Sequence, residues 1–243
     1  MKTVGLAIIG AEVLSGKVQD ENGPFLIREL RGLGARLGEL RVIDDGLTII
    51  ERTVRELSGQ FDFLITTGGI GPTHDDLTVA GVAAAFSVPV VREPTLETSL
   101  RTYYGDALTE NHLRLADVPE GAVLHGERVP TIQMRNTFVL PGVPSLMRSC
   151  FERVREQFRG DAFITRILFL NASESTIADA LSAADRAHPA VQIGSYPRFD
   201  DASARVKVTV EGTDRPAVDA ALAQLRETLP AGVILDEKEE SQL

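Results

Sequence analysis

Apolar residues follow two rhythms along this chain: short unbroken runs and one-sided helical spacings. Residues 4–9 form an unbroken apolar run, the mark of a strand buried on both faces. Residues 22–33 carry Phe25, Leu26, Leu30 and Leu33 at helical spacing and stop at Gly34, a residue suited to the position just past a helix end. Residues 10–16 between them read as a loop. The pattern then predicts a strand over 36–43, a helix over 47–57, a buried strand over 61–65 and a helix over 77–86. Helical patterns follow at 94–104 and 111–115, then a short strand at 137–140 and a helix at 144–158. Strands and helices that alternate through short connections predict an α/β fold, a mostly parallel sheet in three layers with helices on both faces.

The rhythm changes near Gly160-Asp161. Beyond it come a strand (163–170), a helix (173–184), two strands (191–196 and 204–211), a helix (215–229) and a strand (233–235). That order predicts a small α+β module of the split βαβ type, with a KH-like topology. Residues 236–243 are acidic and polar and are expected to fray. The division is therefore 1–160 for the large domain, 161–237 for the small one and 238–243 for an acidic tail.

Composition narrows the class. A length of 243 residues with 43% hydrophobic content suits a globular protein of one large or two small domains. No apolar run is long enough to span a membrane, and the first residues enter a strand without a signal-peptide pattern. The single cysteine, Cys150, excludes an internal disulfide and sits among apolar helical residues, where inert packing is its ordinary role. These features lead us to expect a cytoplasmic protein with no membrane contact. The net charge of -10 argues against nucleic acid as a partner. An anionic ligand must instead be drawn in locally, by loop amides, arginines or metal. Arginine outnumbers lysine 21 to 4, a bias of the kind that genome base composition produces.

The chemistry concentrates in residues 65–78, Ile-Thr-Thr-Gly-Gly-Ile-Gly-Pro-Thr-His-Asp-Asp-Leu-Thr. Three glycines between a strand and a helix let the backbone approach a ligand and turn amides toward an anion. Two carboxylates beside an anion site make sense when a divalent cation lies between them. The competing reading is a tight turn with Asp75 or Asp76 as a helix N-cap. In open parallel sheets ligands bind at the carboxyl ends of the strands, so four loops should meet there. They are 10–16 with Glu12 and Ser15, Asp44-Asp45-Gly46, 68–76, and Leu140-Pro141-Gly142-Val143-Pro144. Each has ordinary turn chemistry as its alternative. The amides of Gly68, Gly69 and Gly71 would hold a phosphate, with donors from the Thr67 and Thr73 hydroxyls. Asp45, Ser15, Pro141 and Gly142 would line the ligand. Asp75, Asp76 and Glu12 would hold a divalent metal (Mg, Mn or Co), which lowers the pKa of an attacking water. A histidine imidazole can both take up and release a proton, which makes His74 a candidate proton carrier; a solvent-exposed hydrogen-bonding residue is its alternative. His112, His125 and His188 show no metal-ligand spacing, and no nucleophile elbow surrounds Ser15.

The second module has neither a GxxG clamp nor a basic face, so RNA binding rests there on fold analogy alone. It is expected to pack on the first domain or to build an oligomer interface, with Tyr196, Pro197, Arg198 and Phe199 reaching toward a neighbouring site.

Three of these segments, Gly10-x-Glu12-x-Leu14-Ser15-Gly16, the loop 67–78 and Leu140-Pro141-Gly142-Val143-Pro144, resemble the molybdopterin-binding (MoaB/MogA-like) domain superfamily. Within it they are most similar to the competence/damage-inducible protein A (CinA) branch. Ile193-Gly194-Ser195-Tyr196-Pro197 and the strand after it resemble the small domain that follows in that branch. His74 and Arg135-Asn136 look closest to the domain fused to FAD synthases. The resemblance implies one of two activities. The first is metal-dependent cleavage of the diphosphate bond of a dinucleotide such as ADP-ribose or FAD. The second is molybdopterin binding or adenylyl transfer, with molybdopterin as ligand. A non-catalytic nucleotide-binding module is a third reading, because position 11 is Ala where the branch usually has Asp. The resemblance also implies a nucleotide or pterin ligand and a homo-oligomer. By comparison with the branch, neither an amidase domain nor an FAD-forming domain is expected within these 243 residues.

Overall fold

A computed structural model describes residues 1–198 and 204–240. The chain divides between Gly160 and Asp161 into two compact units. The first runs β1 (Thr3–Ile9), α1 (Ala11–Leu14), α2 (Asn22–Gly32), β2 (Arg36–Ile43), α3 (Leu47–Gln60), β3 (Phe63–Thr67) and α4 (Thr78–Phe86). It continues through β4 (Val90–Arg92), α5 (Pro94–Tyr104), α6 (Glu110–Leu113), β5 (Asp117–Pro119), β6 (Val123–His125), β7 (Thr131–Met134), β8 (Thr137–Leu140) and α7 (Pro144–Val154). Six strands form one sheet in the order β2-β1-β3-β8-β7-β6. β1 pairs in parallel with β2 and β3, and β3 with β8. The fold is thus a mostly parallel three-layer α/β sheet, as the alternation predicts.

The unbroken apolar run of β1 follows from burial on both faces. Leu6 and Ile8 join Leu26, Leu30 and Phe151 in one core cluster, while Ala7 and Ile9 join Ile50, Val54 and Leu57 in another. Successive side chains of a strand point to opposite faces, so one strand feeds two cores. Phe138 of β8 is fully buried and meets Phe158 with ring centroids 4.9 Å apart. Its truncation to Ala should cost about 3–5 kcal/mol through lost contacts and a residual cavity. Urea denaturation of Phe138→Ala checks this.

Several sequence expectations are corrected. The third strand starts at Phe63 and runs through Thr67. Phe61 instead finishes α3, its amide donating to Leu57, and Asp62 accepts from the Thr3 amide. Part of the expected loop 10–16 is the one-turn helix α1. The helix expected to end at Phe158 changes to 3₁₀ geometry over Arg155–Phe158. β4 to β7 had no strand signal: each has only three or four residues, too short for a period to show. β6 and β7 add to β8 in antiparallel fashion and make the sheet mixed. Arg135 and Asn136 form the β7–β8 turn at the opposite end of β8 from Leu140, with Arg135 at φ 52°. The Asn136 amide donates to the carbonyls of Ser58, Phe61 and Asp62, an anchoring role away from the strands' carboxyl ends.

The second unit runs β9 (Ile164–Leu170), α8 (Glu174–Ala187), β10 (Gln192–Pro197), β11 (Val206–Gly212), α9 (Arg215–Thr228) and β12 (Ile234–Glu240). Its strand order is β10-β11-β9-β12 and every pairing is antiparallel. Leu168, Val208, Ile177 and Leu222 lie in its core. β12 corrects the acidic tail: residues 238–240, assigned there from sequence, are strand. Acidic residues are poor strand formers, but here Arg226 pairs with Glu237, and Arg166 and Arg215 pair with Glu239. Tyr196 is exposed and Arg198 lies over the Phe169 ring, while Phe199 and residues 241–243 lie outside the described residues.

Candidate functional site

Three parallel strands of the first unit deliver their loops to one edge of the sheet. β1 ends at Ile9, β3 at Thr67 and β8 at Leu140. The Gly10 amide donates to the Ile43 carbonyl at the end of β2, which holds the first loop beside the second strand. The Gly68 amide donates to the Leu140 carbonyl at 3.2 Å, so this amide is engaged and does not serve as the phosphate donor expected from sequence. Gly68 sits at φ 99°, and a Cβ there would overlap the Ile9 carbonyl oxygen. Gly69 is also left-handed, at φ 63°. The free donors lie one step further on. The amides of Gly69, Ile70 and Gly71 have no acceptor among the described residues. Gly142 packs close against Gly68, where an added Cβ would lie 3.2 Å from the Gly68 Cα, and the Gly142 and Val143 amides also lack acceptors among the described residues.

Two side chains lock this arrangement. Thr78, fully buried at the start of α4, donates its hydroxyl to the Gly68 carbonyl at 2.7 Å and its amide to the Gly69 carbonyl at 2.9 Å. Asn22, the first residue of α2 and 5% exposed, donates from Nδ2 to the Thr67 hydroxyl at 3.0 Å and to the Gly142 carbonyl at 2.8 Å. Its Oδ1 is buried and has no partner among the described residues. The Asp20 carboxylate accepts the Asn22 and Gly23 amides and fixes this end of α2. Sequence reasoning gave Asn22 no role, because its partners lie 45 and 120 residues away.

The acids are less gathered than their spacing implies. Asp76 turns back on its own loop and accepts the Thr73 amide at 2.9 Å and the Thr73 hydroxyl. Both groups are therefore engaged with each other, and the Thr73 hydroxyl is not a spare phosphate donor. Asp75 is exposed; the nearby Thr73 hydroxyl, its own backbone amide, His74 and Arg114 hold its carboxyl below the usual range. The His74 side chain is 97% exposed, with Nδ1 3.8 Å from the Asp75 carboxylate. Asp45 is pushed above the usual carboxylate range, first by Asp44, then by desolvation and, further off, by the charge of Asp75. Glu12 folds its carboxylate over Gly10, and the Ser15 hydroxyl closes α1 on the Glu12 carbonyl at 3.2 Å. Pro141 is buried behind Gly142. Among the described residues no three His, Cys, Asp or Glu side chains are grouped to hold a metal ion. Glu12, Asp75 and Asp76 do not converge as a resident metal site.

Arg114 was missed from sequence. It follows α6 in the chain, and its guanidinium reaches the Pro72 carbonyl at 3.5 Å, 42 residues away, putting a positive charge beside the glycine loop. No local signal marks it.

A mostly parallel α/β sheet with glycine loops at its carboxyl edge places this domain in the open-sheet α/β class, in which that edge is the usual place for a ligand. Residues 5–159 match the family model described as "Probable molybdopterin binding domain", and residues 162–238 match "FAD synthase, middle domain". The chain belongs to the molybdopterin-binding domain family. A protein of Archaeoglobus fulgidus is 32% identical over 227 residues, covering 91% of this chain and 95% of its own. A Caenorhabditis elegans protein named "Probable FAD synthase" is 30% identical over 265 residues, covering 96% of this chain. This chain spans 51% of the nematode protein's length. The crystal structure of CinA from Thermoplasma acidophilum superposes with a TM-score of 0.60 at 25% identity, over 65% of this chain and 98% of that one. No helix among the described residues is long and apolar enough to cross a membrane.

Proposed function

We propose that the first domain binds the diphosphate of a nucleotide on the amides of Gly69, Ile70 and Gly71, and that the chain hydrolyses a dinucleotide such as ADP-ribose or FAD. The observation that carries this reading is the run of three amides with no acceptor among the described residues, at the carboxyl edge of a parallel sheet, with Arg114 beside it. Backbone donors of this kind suit phosphate oxygens. In the reaction a water oxygen bonds to one phosphorus, the P–O–P bridge breaks, and two monophosphates leave. On this reading a divalent cation enters with the substrate, as a metal–diphosphate complex. A second reading, a pterin ligand, has the family match over residues 5–159 in its favour.

Product analysis of ADP-ribose, FAD and molybdopterin, each incubated with and without Mg, Mn or Co, tests the proposal. AMP released only with the metal supports it. If molybdopterin alone binds and no dinucleotide is bound or cleaved, the pterin reading replaces it. Arg114→Gln should weaken pyrophosphate binding about tenfold, the loss of one charge-assisted contact. Calorimetric titration of both forms with pyrophosphate checks that value.

A further inference from the structure

We propose that a cavity of about 460 Å³ beside the glycine loop holds the planar heteroaromatic ring of the ligand whose diphosphate the loop binds. This deepens the diphosphate reading and rests on it. The cavity lies between α4, α5, the segment 114–117 and β7, and Ile70 of the glycine loop forms part of its wall. Its volume falls within the range of small-molecule sites. Val79, Leu96, Leu100 and Ile132 supply apolar faces. A smaller recess shares Ile70, Val79, Arg114 and Asp117 with it and is lined further by Gly71 and Asp76. Ile70, one of the three residues with free amides, thus lines the cavity, and Gly71 lines the recess beside it.

The walls suit a flat ring with a polar edge. Tyr103 is 67% exposed yet held in place: it meets Tyr104 edge-on at 4.9 Å, and the Arg128 guanidinium lies over its ring at 5.2 Å. Tyr104 in turn stacks on His112 at 3.9 Å and 11°. An aromatic side chain already fixed by its neighbours loses little freedom when a ring stacks on it. Arg114 donates only, and the Asp117 carboxylate, held by Arg92 Nε at 3.0 Å, accepts. Together they present one donor group and one acceptor group to the edge of a ring. Flavin, adenine and pterin rings share this chemistry: apolar faces with alternating N–H and C=O or ring nitrogen along the rim.

The test uses rings without phosphate, titrated by fluorescence or calorimetry: riboflavin, adenosine and neopterin. Pyrophosphate probes the loop separately. Ser99 lines the cavity, so Ser99→Trp fills it from a helix surface, and Tyr103→Ala removes the stacking face. The expected result is that at least one ring binds the native protein and that both variants weaken it tenfold or more, with pyrophosphate affinity unchanged. Which ring binds identifies the base. No ring binding by the native protein, or equal affinity in native and variants, overturns the proposal. So does a native oligomer that Ser99→Trp dissociates while ring affinity stays unchanged, which makes the cavity an interface between copies. Failure of the diphosphate reading looks different: pyrophosphate does not bind, while the rings still report on the cavity.

Discussion

Gly68→Ala should lower the stability of the first domain by about 3 kcal/mol or more and abolish pyrophosphate binding. Two costs combine. The residue sits at φ 99°, which L side chains rarely adopt, and its new methyl would overlap the Ile9 carbonyl oxygen. That oxygen belongs to the central strand β1 and cannot swing aside like a long side chain. Relief has to come from the loop, and moving Gly68 breaks its amide's bond to Leu140 and the Thr78 bond to its carbonyl. The amides of Gly69, Ile70 and Gly71 then lose their aim. Gly59→Ala is the control. Gly59 lies within α3, and a Cβ there meets nothing within 4 Å. This change should stabilise the protein by about 0.5–1 kcal/mol. Chemical denaturation of both variants, with calorimetric titration of pyrophosphate, decides the matter. A Gly68→Ala protein as stable as the native one, with unchanged affinity, would show that the loop is not held as described.

Asn22→Ala should cost about 2–3 kcal/mol, because it deletes one buried and one half-buried hydrogen bond and leaves the Gly142 carbonyl without its donor. Asn22→Asp is the sharper variant. It keeps the shape but replaces the donor with an acceptor facing the Gly142 carbonyl. We expect it to be less stable than Asn22→Ala, which inverts the usual order for a conservative change. The orphaned Asn22 Oδ1 adds a second expectation. If a ligand group or a water satisfies that atom, a bound nucleotide will stabilise native protein in thermal melts more than it stabilises Asn22→Ala. Equal melting midpoints in all three forms would remove Asn22 from the site.

Much of this architecture is local and therefore legible in the chain. The apolar run of β1 announces a strand buried on both sides, since each face covers a separate core. The spacing of Leu26, Leu30 and Leu33 announces α2, and Gly68 and Gly69 announce a turn that needs positive φ. The carboxyl-edge location of the loops also follows from sequence, because alternating strands and helices imply a parallel sheet. β12 misled for a physical reason: its acidic side chains are balanced by Arg166, Arg215 and Arg226 from other elements, and a window of neighbours contains none of them. β4 to β7 are too short to carry a period of their own.

What the chain could not reveal is which groups of the candidate site are already engaged. Residues 65–78 contain the glycines, the threonines and the acids, but only folding pairs the Gly68 amide with Leu140 and Asp76 with Thr73. The free amides of Gly69, Ile70 and Gly71 are what remains after those pairings. Asn22 reaches Gly142 across 120 residues, and Arg114 reaches Pro72 across 42. Sequence by itself determined the longer strands, the longer helices and the loop that must bend, because propensity and periodicity act between near neighbours. The tertiary structure alone decided which loop amides are left without an acceptor among the described residues, which acids stay apart and where the Arg114 guanidinium lies. Hydrogen bonds and charges act over a few ångströms of space, whatever the separation along the chain.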